Sequence, residues 1–152
     1  MIREAREEDM SALMALAGAF HKAAHYKRLA TFEESVLSWE RWLLTCVQSK
    51  TAICVVAEKE GALIGFCTAL IFPAYWNDRV FAAQETALWV TPEKRGSGAG
   101  GKLLNFVVEW AKQNGAHVMA AGSTVYMNPK QMGAFLRKHG FKLEERNYSR
   151  KL

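Results

Sequence analysis

The sequence has few of the residues that stabilise small secreted proteins or mark membrane proteins. Its 152 residues include only three cysteines, Cys46, Cys54 and Cys67, and their spacing fits no metal-ligand pattern. We therefore expect reduced, buried thiols and no metal site. No apolar run reaches about 18 residues, the length needed for a membrane-spanning helix. The opening "MIREAREEDM" is charged and has no apolar signal region, so a cytoplasmic location is expected.

Proline is also scarce, at three residues, and no linker, internal repeat or low-complexity stretch is present. Half of the residues are hydrophobic, which is enough to bury one core, so a single domain covering residues 1–152 is expected. The net charge of +5 suits an anionic small ligand, an acidic partner or nucleic acid. The most basic stretch, the terminal "RNYSRKL", is too short to indicate nucleic-acid binding, and that partner is disfavoured.

The first half of the chain reads as an edge strand, two helices and a strand meander. After "MIREA", apolar residues recur at helical spacing from Met10 to Phe20. A second helix is predicted to begin at Thr31, which forms a capping box with Glu34. The segments "TAICVVAE" and "ALIGFCTALI" are rich in strand formers, and "KEG" between them predicts a tight hairpin turn.

The second half is predicted to hold a long strand and two further helices. The loop "FPAYWNDR" precedes the strand "VFAAQETALWV", and a glycine-rich loop and an amphipathic helix ending at Asn114 follow. "AHVMAAG" is predicted to be a buried strand. Asn128 and Pro129 begin the last helix, which ends at Gly140 before a closing strand, "FKLEERNYS". The order β-α-α-β-β-β-α-β-α-β predicts an α/β protein with a mixed sheet and helices packed on it.

The glycine-rich loop "EKRGSGAGGKLL" allows more than one interpretation. Gly96 to Lys102 nearly spells a Walker A loop, but Leu103 stands where the magnesium-binding Ser or Thr is needed. A dinucleotide fold is disfavoured because its glycine loop follows the first strand of alternating β-α units, whereas this loop follows a meander. The remaining interpretation is a pyrophosphate site made of backbone amides and a helix N-terminus, with Arg95 and Lys102 adding positive charge.

The stretch "LWVTPEKRGSGAGGKLL" resembles the acyl-coenzyme A loop of the GNAT superfamily of N-acetyltransferases, whose pattern is L-x-V-x-P-x-x-R-G-x-G-x-G. The matching positions are Leu88, Val90, Pro92, Arg95, Gly96, Gly98 and Gly100. The later "NPKQMGAFLRKHGF" resembles the family's second motif, N-x-x-A-x-x-F-Y-x-x-x-G-F. The element order is also similar to that of the family, so the resemblance covers most of the chain and is strongest over residues 80–141.

The resemblance implies a GNAT-like mixed, mostly antiparallel central sheet with helices on both faces. It also implies acetyl-coenzyme A as cosubstrate, bound where two parallel strands splay apart. Its pantetheine arm would pair with the strand near Leu88 to Val90, and the Val90 amide would face the thioester oxygen. The residues expected to hold the cosubstrate are Leu88, Trp89, Val90, Arg95, Gly96, Ser97, Gly98, Ala99, Gly100, Lys102 and Asn128.

Direct attack by an amine needs a proton acceptor, and members of the family often place a carboxylate on the strand before the loop. Glu85 is the candidate here, and the alternatives are a surface carboxylate and a structural salt bridge. The family's proton-donating tyrosine is replaced by Leu136, which cannot donate a proton. Either the thiolate leaves unassisted, water assists, or a hydroxyl of Ser123 or Tyr126 serves, although each could be an ordinary loop residue.

The acceptor site carries the weakest signal. Tyr75 and Trp76 could line an acceptor groove or pack over the sheet edge. His21 and His25 stand at helical spacing, with Tyr26 next to them, and form either an acceptor-binding face or a solvated helix end. A zinc site at these histidines would lack further obvious ligands. Trp89 is expected to pack in the sheet, and Asn128 could contact the cosubstrate while capping its helix.

The sequence therefore predicts an acetyltransferase for a primary amine on a small molecule or a protein. One rival interpretation is a GNAT fold that keeps coenzyme A binding but has lost catalysis, which the missing tyrosine favours. A second rival, a nucleic-acid-associated protein, rests on charge alone. Members of the family often form dimers, so a homodimer is left open.

Overall fold

The computed structural model describes all 152 residues, and its elements follow the predicted order from the first strand to the last helix. The strands are β1 (Ile2–Glu4), β2 (Ala52–Lys59), β3 (Ala62–Ala74), β4 (Asn77–Val90) and β5 (Val118–Ala120). The helices are α1 (Met10–Ala23), α2 (Phe32–Gln48), α3 (Ala99–Gln113) and α4 (Pro129–Lys138).

The five strands form one sheet in the order β1-β2-β3-β4-β5. The first four pair antiparallel, because short turns reverse the chain between β2, β3 and β4. The turn between β2 and β3 has Glu60 and Gly61 at positive φ, 53° and 77°, as a two-residue hairpin loop requires. β5 is parallel to β4, since α3 carries the chain back across the sheet before it begins.

Helices cover both faces of the sheet, as the resemblance implied. On one face, α1 and α2 bury a cluster that includes Leu13, Phe20 and Leu43 against Phe66 and Trp89 of the strands. On the other face, α3 buries a second cluster, built from Ala99, Leu103 and Val107 and from strand residues that include Val55 and Cys67. The even and odd residues of β2 serve these two separate cores, which explains why β2 is buried over almost its whole length.

The predicted helix boundaries are confirmed by their capping contacts. The Glu34 amide donates to Thr31 Oγ1 at 3.2 Å, and the Glu34 carboxylate accepts from the Thr31 amide at 2.7 Å. At α4, Asn128 Oδ1 accepts from the Gln131 amide at 3.2 Å, and Pro129 takes the first helical position. Asn114 ends α3.

Three expectations about strands need correction. The loop expected over "FPAYWNDR" is only the two-residue turn Tyr75–Trp76, because β3 and β4 extend past the rest of the sheet as a hairpin. β5 is three residues long and partly exposed rather than buried, with Val118 exposed by 53%. No closing strand forms after α4: the apolar alternation of "FKLEERNYS" stops at Leu143, and four charged or amide side chains that favour solvent follow it. The outer edge of β5 is consequently left unpaired.

None of the helices combines the length and the hydropathy needed to cross a bilayer.

Candidate active site

β4 and β5 separate partway along β4, and this opening defines the site. The two strands pair only from Ala82 opposite Val118 to Gln84 opposite Ala120. Beyond that point β4 continues to Val90 with β3 on one side and no strand on the other. The splayed parallel strands expected from the resemblance are therefore present.

The free edge of β4 exposes the backbone groups of alternate residues. Val90 lies opposite Gly65, and the Thr91 amide donates to the Ile64 carbonyl at 2.9 Å, which makes Val90 and Gly65 a non-hydrogen-bonded pair. The amide of Val90 therefore points away from β3 and into the opening. Leu88, two residues earlier, has the same orientation. An extended chain placed in the opening can pair with both residues as an added strand would.

The loop after β4 presents backbone amides at the N-terminus of α3. Gly96 and Gly98 have φ values of 84° and 81°, which side-chain-bearing residues rarely adopt, and neither amide has a hydrogen-bond partner in the structure. The first amides of α3 also lack intrahelical acceptors. These unpartnered donors and the positive end of the helix fit a pyrophosphate group. Lys102 is exposed nearby, whereas Leu103 is fully buried and cannot hold a magnesium ion, which removes support for the triphosphate interpretation.

Arg95 is turned toward the strand rather than toward the loop amides. Its Nε donates to the Val90 carbonyl at 3.1 Å, and its guanidinium lies 4.8 Å from the centre of the Trp89 ring. Trp89 itself is packed in the core on the α1 and α2 face, as expected, although its indole N–H has no acceptor. Arg95 must move if a bound chain is to use the Val90 carbonyl, but the Val90 amide is free.

A cavity of about 280 Å³ lies at the opening, between α1, α4 and the separating strands. Nine of its 14 lining residues are apolar, and Glu85 is the only charged side chain among them. The lining residues are Phe20, Ala24, Tyr26, Glu85, Thr86, Leu88, Leu104, Ala121, Gly122, Ser123, Thr124, Met127, Met132 and Leu136.

Glu85 owes its position to an irregularity in β4. Ala87 pairs with Thr68 and Glu85 pairs with Ala69, so Thr86 is an extra residue that forms a β-bulge. The bulge places Glu85 on the same face as Leu88 and Val90, where strict alternation along the strand would place it on the opposite face. Thr86 is held there because its hydroxyl lies 2.7 Å from the Thr68 hydroxyl.

The Glu85 carboxyl has the properties of a proton acceptor near neutral pH. Burial raises its pKa to about 7, and a hydrogen bond from the Gly122 amide, at 3.1 Å, only partly opposes that rise. Gly122 follows β5, so this bond spans the point where the two strands part. No cation pairs with the carboxylate, which removes support for the structural salt bridge considered from the sequence.

The groups considered as proton donors lie in different places. Leu136 lines the cavity, at the position that the second motif assigns to the family's tyrosine. Ser123 also lines it, and its only hydrogen bond is a long one of 3.5 Å to the Pro129 carbonyl. Tyr126 does not line the cavity: its ring stacks on His25 with the centres 4.7 Å apart.

The residues predicted for the acceptor lie outside the cavity. Tyr75 and Trp76 form the exposed tip of the β3–β4 hairpin. His21 is buried instead of lying on a solvated helix end. Its Nδ1 accepts from the Trp39 indole at 3.1 Å, and its Nε2 donates to the Ala30 carbonyl at 2.9 Å. Both ring nitrogens are thus used to hold α1 against α2 and the segment between them.

The sequence interpretation noted Tyr26 only as the neighbour of His25, and it gave Thr86 no role. Both residues line the cavity: Tyr26 belongs to the 3₁₀ turn after α1, and Thr86 is the bulge residue. Nothing in the strand-like pattern of "FAAQETALWV" indicates a bulge.

Comparisons with known proteins agree with this geometry. The sequence model of the "Acetyltransferase (GNAT) family" matches residues 5–141. The "Uncharacterized N-acetyltransferase YhfO" of Bacillus subtilis (strain 168) is 29% identical over 118 residues, which cover 76% of this chain and 72% of that protein.

Solved structures show the same fold at low identity. The ribosomal-protein-alanine N-acetyltransferase of Brucella melitensis biovar Abortus 2308 has a TM-score of 0.74 at 15% identity, covering 100% of this chain and 99% of that chain. AAC(6')-Iy, in complex with the bisubstrate analog CoA-S-monomethyl-acetylneamine, has a TM-score of 0.79 at 19% identity, covering 100% and 97%. The chain belongs to the GNAT family of acetyltransferases, as an N-acetyltransferase that uses acetyl-coenzyme A.

Proposed function

We propose that the protein acetylates a primary amine that enters the cavity beside Glu85. The observation that carries the proposal is a carboxyl group with a pKa of about 7 at the point where β4 and β5 part. A general base is most effective when its pKa lies close to the working pH. Glu85 would accept the amine proton through a water molecule, because its own position is fixed by the Gly122 amide.

The backbone of β4 supplies the second requirement of acyl transfer. When the amine nitrogen bonds to the carbonyl carbon, negative charge develops on the carbonyl oxygen and needs a preorganised donor. The Val90 amide points into the opening without a partner and would serve as that donor. Bound acetyl-coenzyme A supplies the activated acetyl group and a thiolate that leaves with the electrons of the carbon–sulfur bond.

The loop and the free edge of β4 would hold the cosubstrate. The amides of Gly96 and Gly98 would bind the pyrophosphate, and Leu88 and Val90 would pair with the pantetheine arm. Asn128 already bonds to Gln131 through its side chain, and its backbone carbonyl accepts from the Met132 amide. The second N–H of its side-chain amide therefore remains available for a further contact. For protonation of the thiolate, Ser123 is favoured over Tyr126 because only Ser123 lines the cavity.

The test is a pH–rate profile of wild type and Glu85→Gln with an accepted amine. Glutamine keeps the shape and can still accept from the Gly122 amide, but it cannot take a proton. We expect turnover at neutral pH to fall roughly a hundred- to ten-thousand-fold, with the loss shrinking as pH rises and more amine arrives deprotonated. Affinity for acetyl-coenzyme A should hardly change. Glu40→Gln, an equal charge change on the exposed face of α2, is the matched control.

Parallel profiles for wild type and Glu85→Gln would show that Glu85 is not the base. The rival function is a coenzyme A-binding module without catalysis. It is favoured by Leu136, because the family's motif places a tyrosine at that position. That function predicts tight acetyl-coenzyme A binding by calorimetry and no product from any amine at any pH.

A further inference from the structure

The segment that forms one side of the cavity mouth is cationic and has no carboxylate to balance it. Between Met10 and Phe32 the sequence contains no Asp or Glu. Lys22, Lys27 and Arg28 are exposed there, and none of them forms an ion pair. A cluster of unpaired cations beside an otherwise apolar cavity raises the local concentration of anionic groups and repels cationic ones.

Arg28 is the member of this cluster that contacts the loop after β5. Its guanidinium lies 5.3 Å from the centre of the Tyr126 ring, and His25 stacks on that same ring. Tyr126 belongs to the loop after β5, in which Ser123 and Thr124 line the cavity. Arg28 therefore connects the α1 side of the mouth to the β5 side.

One charge lies inside the cavity and an opposite charge lies near it. Glu85 lines the cavity where the strands part, and Arg28 follows the lining residue Tyr26 by two positions in the same turn. Burial raises the pKa of the Tyr26 hydroxyl, the Glu85 carboxylate raises it further, and the Arg28 guanidinium opposes the rise. Both charges thus act on the hydroxyl of one lining residue. The other side chains that line the cavity are mostly apolar, among them Phe20, Met127 and Met132.

We propose that the acceptor is a small amine whose apolar body carries an anionic group, a carboxylate or a phosphate, at the end away from the amine. The inference rests on the proposed function, since it assumes that the amine is directed to Glu85. The anionic group is then directed to Arg28 at the mouth. Polycationic amines fit poorly, because Glu85 is the only carboxylate that lines the cavity and Arg28 would repel a second positive charge.

Three amines of matched shape test the inference. Para-(aminomethyl)benzoate, para-methylbenzylamine and para-(aminomethyl)benzylamine differ in the charge at the far end of one ring. We expect kcat/KM to fall in that order, with the carboxylate preferred over the methyl compound by roughly three- to tenfold, as for a partly exposed charge-assisted contact. The preference should shrink as salt is added.

Arg28→Gln should remove most of the preference for the benzoate over the methyl compound. Lys50→Gln, which removes one positive charge from the exposed connection between α2 and β2, is the control and should keep the preference. Equal kcat/KM values for the three amines, or the diamine as the best substrate, would overturn the inference and leave the acetyltransferase proposal intact.

If none of the three amines is acetylated, the proposed function is the part that fails, and binding decides the inference separately. Calorimetric titration of the coenzyme A-loaded protein with the same three amines should still show the benzoate binding tightest, and Arg28→Gln should abolish that order. Equal affinities in wild type would overturn the inference without reference to catalysis.

Discussion

At the scale of single residues, Glu85 suits the proposed reaction but lowers the stability of the folded protein. Its carboxyl has a pKa of about 7 in the folded protein, whereas an unperturbed glutamate has a pKa of 4.5. Between those two values the folded chain keeps a proton that the unfolded chain has released. The free energy of unfolding must therefore fall as pH rises through this window, and the full penalty is present above about pH 7.

Glu85→Gln removes an ionisable group that is costly to bury and should raise the melting temperature at pH values above 7. We expect a gain of a few degrees, on the scale typical of a domain of this size, and no gain at acid pH, where the wild-type carboxyl is protonated in both states. Thermal melts of the two proteins across this range are the measurement. A lower melting temperature for the variant at every pH would show that Glu85 is a structural residue.

His21 shows what the sequence could not settle at this scale. Its spacing from His25 is visible, but its burial depends on Trp39, which lies 18 residues away, and on a carbonyl in the segment between the two helices. Side chains of one helix can be assigned to faces from periodicity. The hydrogen-bond partners of a buried imidazole depend on tertiary contacts between distant residues. Neither of the two hypotheses made from the sequence for His21 included such partners.

At the scale of elements, the glycine loop allows a test with matched side chains. Gly98 and Gly96 have positive φ, so any substitution there combines strain with its other effects. Gly100 does not, and an added Cβ would lie 3.7 Å from Val90 Cγ2, in ordinary contact. Gly100→Asn and Gly100→Asp add nearly the same volume at the start of α3 but differ in charge.

We expect Gly100→Asp to abolish acetyl-coenzyme A binding and Gly100→Asn to weaken it less, because only the aspartate places negative charge against the pyrophosphate. Calorimetry on the two folded variants is the measurement. Similar affinities for both would remove the assignment of this loop to the phosphates. Lys102→Ala should weaken binding only modestly, since backbone amides supply most of the site.

The elements themselves were largely predictable, and the failures have physical causes. Caps at Thr31 and Asn128 and the turn at Gly61 are local contacts, and the sequence indicates them correctly. The extent of β3 and β4 was underestimated because Pro73 and the aromatic turn resemble a loop, although an edge position beyond β2 tolerates them. The prediction of a closing strand was wrong because the sequence lacks apolar alternation after Leu143.

At the scale of the whole molecule, the three thiols report on the integrity of both cores. Cys46 and Cys54 lie in the core under α1 and α2, and Cys67 lies in the core under α3. Burial raises the pKa of each thiol, that of Cys46 to about 12, so none is a reactive thiolate at neutral pH.

We expect a disulfide reagent to label none of the three thiols in the native protein and all of them after denaturation. The rate of labelling in mild denaturant should follow global unfolding. Rapid reaction of one thiol in buffer would show that the core containing it opens separately. Comparing single-cysteine variants would then identify which face of the sheet opens.

Because Thr86 is an extra residue in β4, its deletion should disturb the sheet less than the deletion of another residue of the strand. Losing Thr86 would leave Glu85 opposite Ala69 and Ala87 opposite Thr68, so no side chain would change faces. Losing Ala83 instead would shift the strand register by one residue, so the side chains from Asn77 to Ala82 would move to the opposite faces of the sheet. We expect the protein lacking Thr86 to fold, at a cost of about 1–3 kcal/mol for the lost Thr68 partner, and to turn over slowly because its carboxylate is aimed differently. Melting and turnover measured on the two deletions would thus separate what the chain needs in order to fold from what it needs in order to react.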